Sequence, residues 1–167
     1  MKLKVFLPLP QPSEISSKER ERAMASYMTM MASLAGGLPL PFLNLLAIYL
    51  FHRWVRSTSR FVHFHSLQSM WSQAPVTILN SILLVWTIVR IFSDDFRFSA
   101  TYLGFLIPLI VINVAYFIMS VVAGMRAYKG RFYYFPVFGR WAYEVAFDDL
   151  LSIAIEGDEI ENKPPEG

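Results

Sequence analysis

The chain has no cysteine, so no disulfide framework and no thiolate metal or redox site can form. Charge is scarce as well: 17% of the 167 residues are Asp, Glu, Lys or Arg, against about 25% in ordinary soluble domains. Three stretches, Ala23 to Phe51, Ser66 to Val89 and Phe98 to Met125, lack Asp, Glu, Lys, Arg and His altogether and hold 81 residues between them. An uncharged apolar run of roughly 18 or more residues marks a bilayer-crossing helix, since about 20 residues at 1.5 Å rise cover the ~30 Å hydrocarbon core. The N-terminus also reads poorly as a signal peptide. The apolar run from Val5 is interrupted by Pro8 and Pro10 and lacks a small-residue cleavage site, so the N-terminus is expected to stay attached.

What is present is apolar (54%) and aromatic (16%). The chain reads as a single all-α integral membrane unit, with a flank at 1–15, a membrane domain at 16–143 and a tail at 144–167. The first uncharged stretch decides the topology. At its middle stands Gly36-Gly37-Leu38-Pro39-Leu40-Pro41, where two glycines loosen a helix and two prolines remove backbone donors and clash with the preceding turn.

Lys and Arg counts then weigh a kinked single span against a hairpin, because cytoplasmic segments beside spans are enriched in these residues. Positions 1–22 hold five, Arg53, Arg56 and Arg60 follow Phe51, and Arg126, Lys129, Arg131 and Arg140 follow Met125. Arg90 and Arg97 alone lie between the last two stretches, offset by Asp94 and Asp95. A hairpin at Gly36, Gly37, Pro39 and Pro41 puts twelve basic residues on one side and two on the other. The expected fold is therefore four transmembrane helices at about 20–36, 39–55, 70–92 and 99–126, the first two short, with both termini cytoplasmic. A re-entrant first pair that reaches only part-way is the competing picture.

Ser16-Ser17-Lys18-Glu19 fits a capping box that starts helix 1. An amphipathic approach through Arg60, Phe61, Phe64, Leu67, Gln68 and Trp71 is expected to lead into helix 3, with a bend near Pro75. Helix 4 is expected from about Ser99, softened by Gly104 and Pro108, ending near Lys129 with Gly130 as its C-cap.

Ionisable residues deep in a bilayer mark ion paths, proton relays or catalytic sites, and the three stretches contain none. Their polar residues, Ser33, Asn44, Thr77, Asn80, Ser81, Thr87, Asn113 and Ser120, admit two readings: a hydrophilic seam, or hydrogen bonds between helices. His52, His63 and His65 lie between helices 2 and 3. His63 and His65, two apart, point to different helix faces, and no nearby carboxylate completes a metal site. His65 and Gln68, at i and i+3, are instead expected to make polar contacts from one face. No nucleophile–base arrangement or phosphate loop is visible, so no catalytic residue, metal or cofactor is assigned and the chain is read as a non-enzyme.

Trp54, Trp71, Trp86, Tyr102, Tyr128, Tyr133, Tyr134 and Trp141 suit the headgroup belts. The aromatic segment Lys129 to Tyr143 reads as a strand or loop, lying along an anionic leaflet or packed back on the bundle. After it the charge reverses: residues 1–143 carry 14 basic and 5 acidic groups, and Glu144 to Gly167 carry 1 and 8. Val145 to Ile155 has the pattern of a short amphipathic helix, and Glu156 to Gly167 the composition of a disordered tail.

The broken first hairpin, the Phe64-His65-x-x-Gln68 motif opening a membrane helix, and the closing Gly130, Tyr134 and Pro136 resemble a known group. It comprises small four-helix bacterial membrane proteins of unknown function, related to the twenty-kilodalton Tic subunit of the chloroplast protein-import channel. The resemblance covers about Glu19 to Val145, leaves the acidic tail outside, and implies a part in protein translocation. Asn44, Asn80 and Asn113 are the intramembrane polar candidates. The expected function is that of a non-enzymatic subunit of a larger membrane assembly, with a small channel or carrier as the alternative. The partners implied are the lipid bilayer and other membrane-protein subunits, with no nucleic acid, and the location a bacterial inner (cytoplasmic) membrane.

Overall fold

The computed structural model describes residues 9–35, 41–93, 97–148 and 150, with side chains except at 30–35, 41 and 42. Gly36, Gly37 and Pro39 of the expected corner, Asp94 and Asp95, and the tail from 151 lie outside the described residues. Those described form a 3-10 turn at Pro12–Glu14 and five α-helices: α1 Ser17–Ala35, α2 Pro41–Val55, α3 Arg60–Phe92, α4 Ala100–Tyr128 and α5 Phe138–Ala146. No strand occurs among them.

Local chemistry sets the helix ends. The Glu19 carboxylate accepts from the Ser16 N–H at 2.8 Å and the Ser16 hydroxyl accepts from the Glu19 N–H at 3.4 Å, the reciprocal pair of a capping box. Pro41 opens α2, where its missing N–H costs no hydrogen bond. Ser59 and Ser99 cap α3 and α4, each hydroxyl accepting from the N–H three residues on. Gly130, at φ +69°, ends α4 in the left-handed region that favours glycine. A Cβ there would come within 3.3 Å of Pro12 and of the Arg20 guanidinium. Arg20 in turn donates to the Pro12 and Ile15 carbonyls, tying the N-terminal turn to α1 beside Gly130.

Two helices, α3 and α4, are long and apolar enough to cross a membrane. This narrows the expected four spans. With 15 residues, α2 rises only about 22 Å, and α1 uses its first turns on Lys18, Glu19, Arg20, Glu21 and Arg22.

Helix α1 packs against α2, α3 and α4, while α2, α4 and α5 all pack against α3. The register follows from single contacts. Ser69 donates to the Ser26 carbonyl at 2.8 Å, so α1 and α3 run side by side from that level. Nine residues later α1 ends, whereas α3 continues for 23. At 1.5 Å per residue, α3 outruns α1 by about 20 Å. Antiparallel to it, α4 pairs Tyr116 with Ser72, Asn113 with Asn80 and Tyr102 with Thr87. The bundle is thus a head of α1, α2, α5, the first half of α3 and the second half of α4, from which the rest of the α3–α4 hairpin projects. Ten of the twelve buried α3 residues lie at or before Gln73. The projecting part exposes Ile82, Val85, Ile88, Val89, Ile91, Ile107, Ile110 and Val111, a surface suited to lipid.

At the midpoint of the hairpin the Asn80 and Asn113 amides donate to each other's oxygens at 2.9 and 3.0 Å. Their second N–H groups go to the Val76 and Leu109 carbonyls, so every amide hydrogen is used. Asn80→Leu or Asn113→Leu alone strands one amide and should cost about 1–2 kcal/mol. Thermal unfolding in detergent should show the double variant losing less than the sum, with a coupling near the ~0.6–1.7 kcal/mol of membrane hydrogen bonds. Additive losses would show that the pair does not couple.

Candidate functional site

The head is organised around three buried side chains from two helices. Tyr27 of α1 and His65 and Gln68 of α3 are essentially without solvent exposure. The Tyr27 hydroxyl lies 2.9 Å from His65 Nδ1 and accepts from Gln68 Nε2 at 2.8 Å. Because Gln68 Nε2 is a donor, the single phenolic proton goes to Nδ1, and His65 is the Nε2–H tautomer. Among the described residues no close hydrogen bond forms to that Nε2, although the Arg131 backbone acts on the ring. The ring sits among Phe61, Phe64 and Phe132, with centroids 4.5 to 5.8 Å away.

Gln68 is fully used. Its second N–H goes to the Tyr133 carbonyl at 2.9 Å and its oxygen accepts from the Phe135 N–H at 3.1 Å. An extended segment has no partner strand for its backbone groups, and here one glutamine supplies both a donor and an acceptor. The amide pins the segment after α4 to the centre of the head, and α5 closes over it. Gly139 of α5 permits this closure: a Cβ there would stand 2.8 Å from Tyr134 Cα and 2.9 Å from Gln68 Oε1.

The other candidates fall around this hub or away from it. Phe64 is buried against the rings of Phe132 and Tyr134, at 5.1 and 5.2 Å. Burial, and then the neighbouring Tyr143, raises the Tyr134 phenol above its ordinary pKa, so it is a neutral donor at physiological pH. Pro136 is the first residue of a tight turn in which its carbonyl accepts from the Phe138 N–H at 2.8 Å, with Val137 at φ +68°, a strained conformation for a β-branched residue. Asn44 on α2 has no partner for its Oδ1 among the described residues, while Asn80 and Asn113 are spent on each other.

Sequence reasoning missed Tyr27 and Gly139. A tyrosine in an uncharged stretch carries no signal of its role, and a partner 38 residues away shows only in the fold. The segment 129–143 is loop only as far as Val137. Beyond the proline, Phe138–Ala146 is helical, because the residues after Pro136 can bury Gly139, Ala142 and Ala146 along one face against α3; most of the helix expected at 145–155 lies outside the described residues.

At the edge of the head, α1 meets the α2–α3 turn. Arg22 donates to Thr58 at 2.9 Å and lies 5.8 Å from the Trp54 ring. Partial burial pushes the Glu19 carboxyl up, but the Ser16 and Ser59 hydroxyls, the Ser16 N–H and Arg22 together hold it below its ordinary 4.5. A depressed carboxyl contributes stability that is present above 4.5 and lost as pH falls through the folded-state value. Unfolding followed between pH 5 and 3 should therefore show a steeper acid loss for the native chain than for Glu19→Gln, and equal slopes would contradict this.

Among the described residues, no group of three or more His, Cys, Asp or Glu is placed to hold a metal ion. The sequence pattern of the magnetosome magnetite crystal formation protein family, MamF/MmsF, matches residues 18–142. The chain belongs to the MamF/MmsF family. The match runs from the first turn of α1 into α5, and so takes in Tyr27, His65, Gln68, the pinned segment and Gly139. No curated protein and no solved structure matches.

Membership of the MamF/MmsF family corrects the resemblance to Tic-related proteins and removes the support for protein translocation. The residues that carried that resemblance are few, and apolar helices give little to tell one membrane family from another. In this MamF/MmsF chain, Phe64, His65, Gln68 and Tyr134 belong to the packing of the head.

Proposed function

We propose that the chain is a non-enzymatic integral protein of the magnetosome membrane that acts in magnetite crystal formation as a structural subunit beside other magnetosome proteins. The family match over residues 18–142 carries this reading. The two long apolar helices support membrane insertion, and the exposed aliphatic faces of α3 and α4 suit lipid and neighbouring membrane helices.

In this reading the α3–α4 hairpin crosses the bilayer and both termini lie on one side. About 20 residues counted back from Ile91 reach Ser72, which sets the His65–Gln68 hub outside the hydrocarbon. Aromatic pairs stand near both boundaries: Trp71 with Trp141, centroids 6.5 Å apart, and Trp86 with Tyr102 at 5.5 Å. The α1–α2 pair then enters from the side of the termini and stops about 20 Å short of the hairpin tip. The non-enzymatic part of the reading is supported by the hub, whose tyrosine, histidine and glutamine are sealed from solvent and engaged with one another.

Deletion of the gene in its magnetite-forming host, followed by electron microscopy of the crystals, tests the proposal. Crystals altered in size or shape, and restored by the intact gene, are expected. Crystals indistinguishable from those of the parent strain would overturn it.

A further inference from the structure

Opposite the hub, α2 and α3 bring two imidazoles together. His52 and His63 have ring centroids 5.5 Å apart, with their planes inclined by 34°. His52 is 6% exposed and His63 half-buried, at the basic end of the molecule where α2 ends and α3 begins. The neighbouring histidine in sequence, His65, faces the other way into the hub.

Proton bookkeeping fixes the state of His52. The Ser66 hydroxyl donates its one proton to the His63 carbonyl at 3.0 Å. Its 2.9 Å contact with His52 Nδ1 must then have Nδ1–H as the donor and the hydroxyl oxygen as the acceptor. His52 therefore carries its free lone pair on Nε2. A hydroxyl that orients a ring by its other nitrogen is the arrangement of metal-binding histidines.

The spacing fits the same chemistry. A ring nitrogen about 2 Å from a metal ion puts the ring centre about 3 Å away, so two imidazoles at a roughly tetrahedral angle have centres about 5 Å apart. Arg56 lies close enough to act electrostatically on both rings, and its charge opposes a cation. Among the described residues the groups acting on these rings include no carboxylate, so they offer a hard oxygen-seeking ion nothing to hold it. A borderline first-row metal, for which imidazole is a good ligand, has two.

We infer that His52 and His63 form a two-imidazole site for a divalent first-row transition-metal ion, with water in the remaining coordination positions. The site does not rest on the magnetosome reading. It is tested by titrating the purified full-length protein in detergent with Cu²⁺ alone, following one-equivalent binding and the nitrogen hyperfine pattern by electron paramagnetic resonance. The native chain should bind one Cu²⁺ through two nitrogens. His52→Ala and His63→Ala should each weaken binding at least tenfold, and Arg56→Gln should tighten it several-fold by removing the opposing charge. Should either alanine variant fail to fold, Cu²⁺ should still protect His52 and His63 of the native chain from diethyl pyrocarbonate, with mass spectrometry as the readout. Absence of a one-equivalent complex, binding unchanged in both alanine variants, or no protection of the two residues would overturn the inference.

Discussion

Gln68→Leu is expected to destabilise the head by about 3 kcal/mol or more. The amide donates to the Tyr27 hydroxyl and the Tyr133 carbonyl and accepts from the Phe135 N–H. Leucine fills nearly the same volume, so little is lost in packing. What changes is that the buried Phe135 N–H and the Tyr133 carbonyl are left without partners in a place water does not reach. Each stranded group costs about 1–3 kcal/mol. Tyr27→Phe makes a smaller change: it removes the acceptor for one Gln68 N–H and the donor to His65, and should cost less than Gln68→Leu. Both are measured by equilibrium unfolding in detergent micelles. A Gln68→Leu variant within about 0.5 kcal/mol of the native chain, the range of ordinary surface substitutions, would show that the segment is held by its aromatic packing alone.

Gly139→Ala is expected to be nearly as damaging, for a steric reason. The added methyl would meet Tyr134 Cα and Cβ at 2.8 Å and Gln68 Oε1 at 2.9 Å. The Tyr134 Cα is backbone and cannot swing aside as a side-chain tip can, so α5 must move off the head. Overpacking of this kind costs about 1–3 kcal/mol, and a lower unfolding midpoint is the expected result. Since both substitutions disturb the seat of one segment, Gln68→Leu and Gly139→Ala together should cost less than their sum. An alanine variant as stable as the native chain would mean that α5 does not close on the segment as described.

These two residues show how far the sequence could be read. Gln68 was visible because it shares a helix face with His65, and a period of 3.6 places i and i+3 together. Its partners were not. Tyr27 and the 133–135 backbone are brought to it by tertiary packing over 41 and about 65 residues, and no local pattern encodes that. Helix starts were legible because capping is local chemistry: Ser16 with Glu19, and Ser99, act within three residues of themselves. The end of α4 at Gly130 was legible for the same reason.

Helix α5 was hidden by Pro136 and by a run of aromatics that reads equally well as a strand. Only its docking on α3 selects the helix. Candidate spans were legible for α3 and α4, where length and hydropathy agree. They were ambiguous for α1 and α2, because α1 spends its first turns on charge and α2 is short. Asn80 and Asn113 stood out as polar residues in the uncharged stretches, but the choice between a seam and a bond between helices needed their 33-residue separation closed in space. The His52–His63 pair was passed over for a similar reason. Counting along one helix compared His63 with His65, whereas its neighbour in space belongs to α2.

The account turns on one geometric claim: the α3–α4 hairpin alone traverses the bilayer, with the head and both termini on one side. The absence of native cysteine makes single-cysteine labelling with a membrane-impermeant maleimide a clean test. Ser57→Cys and Lys129→Cys should react from one face of the membrane and Ser93→Cys from the opposite face, while Ala35→Cys, at the end of α1, should react from neither. Labelling of Ser93→Cys from the same face as Ser57→Cys, or of Ala35→Cys from the face that Ser93→Cys occupies, would contradict it.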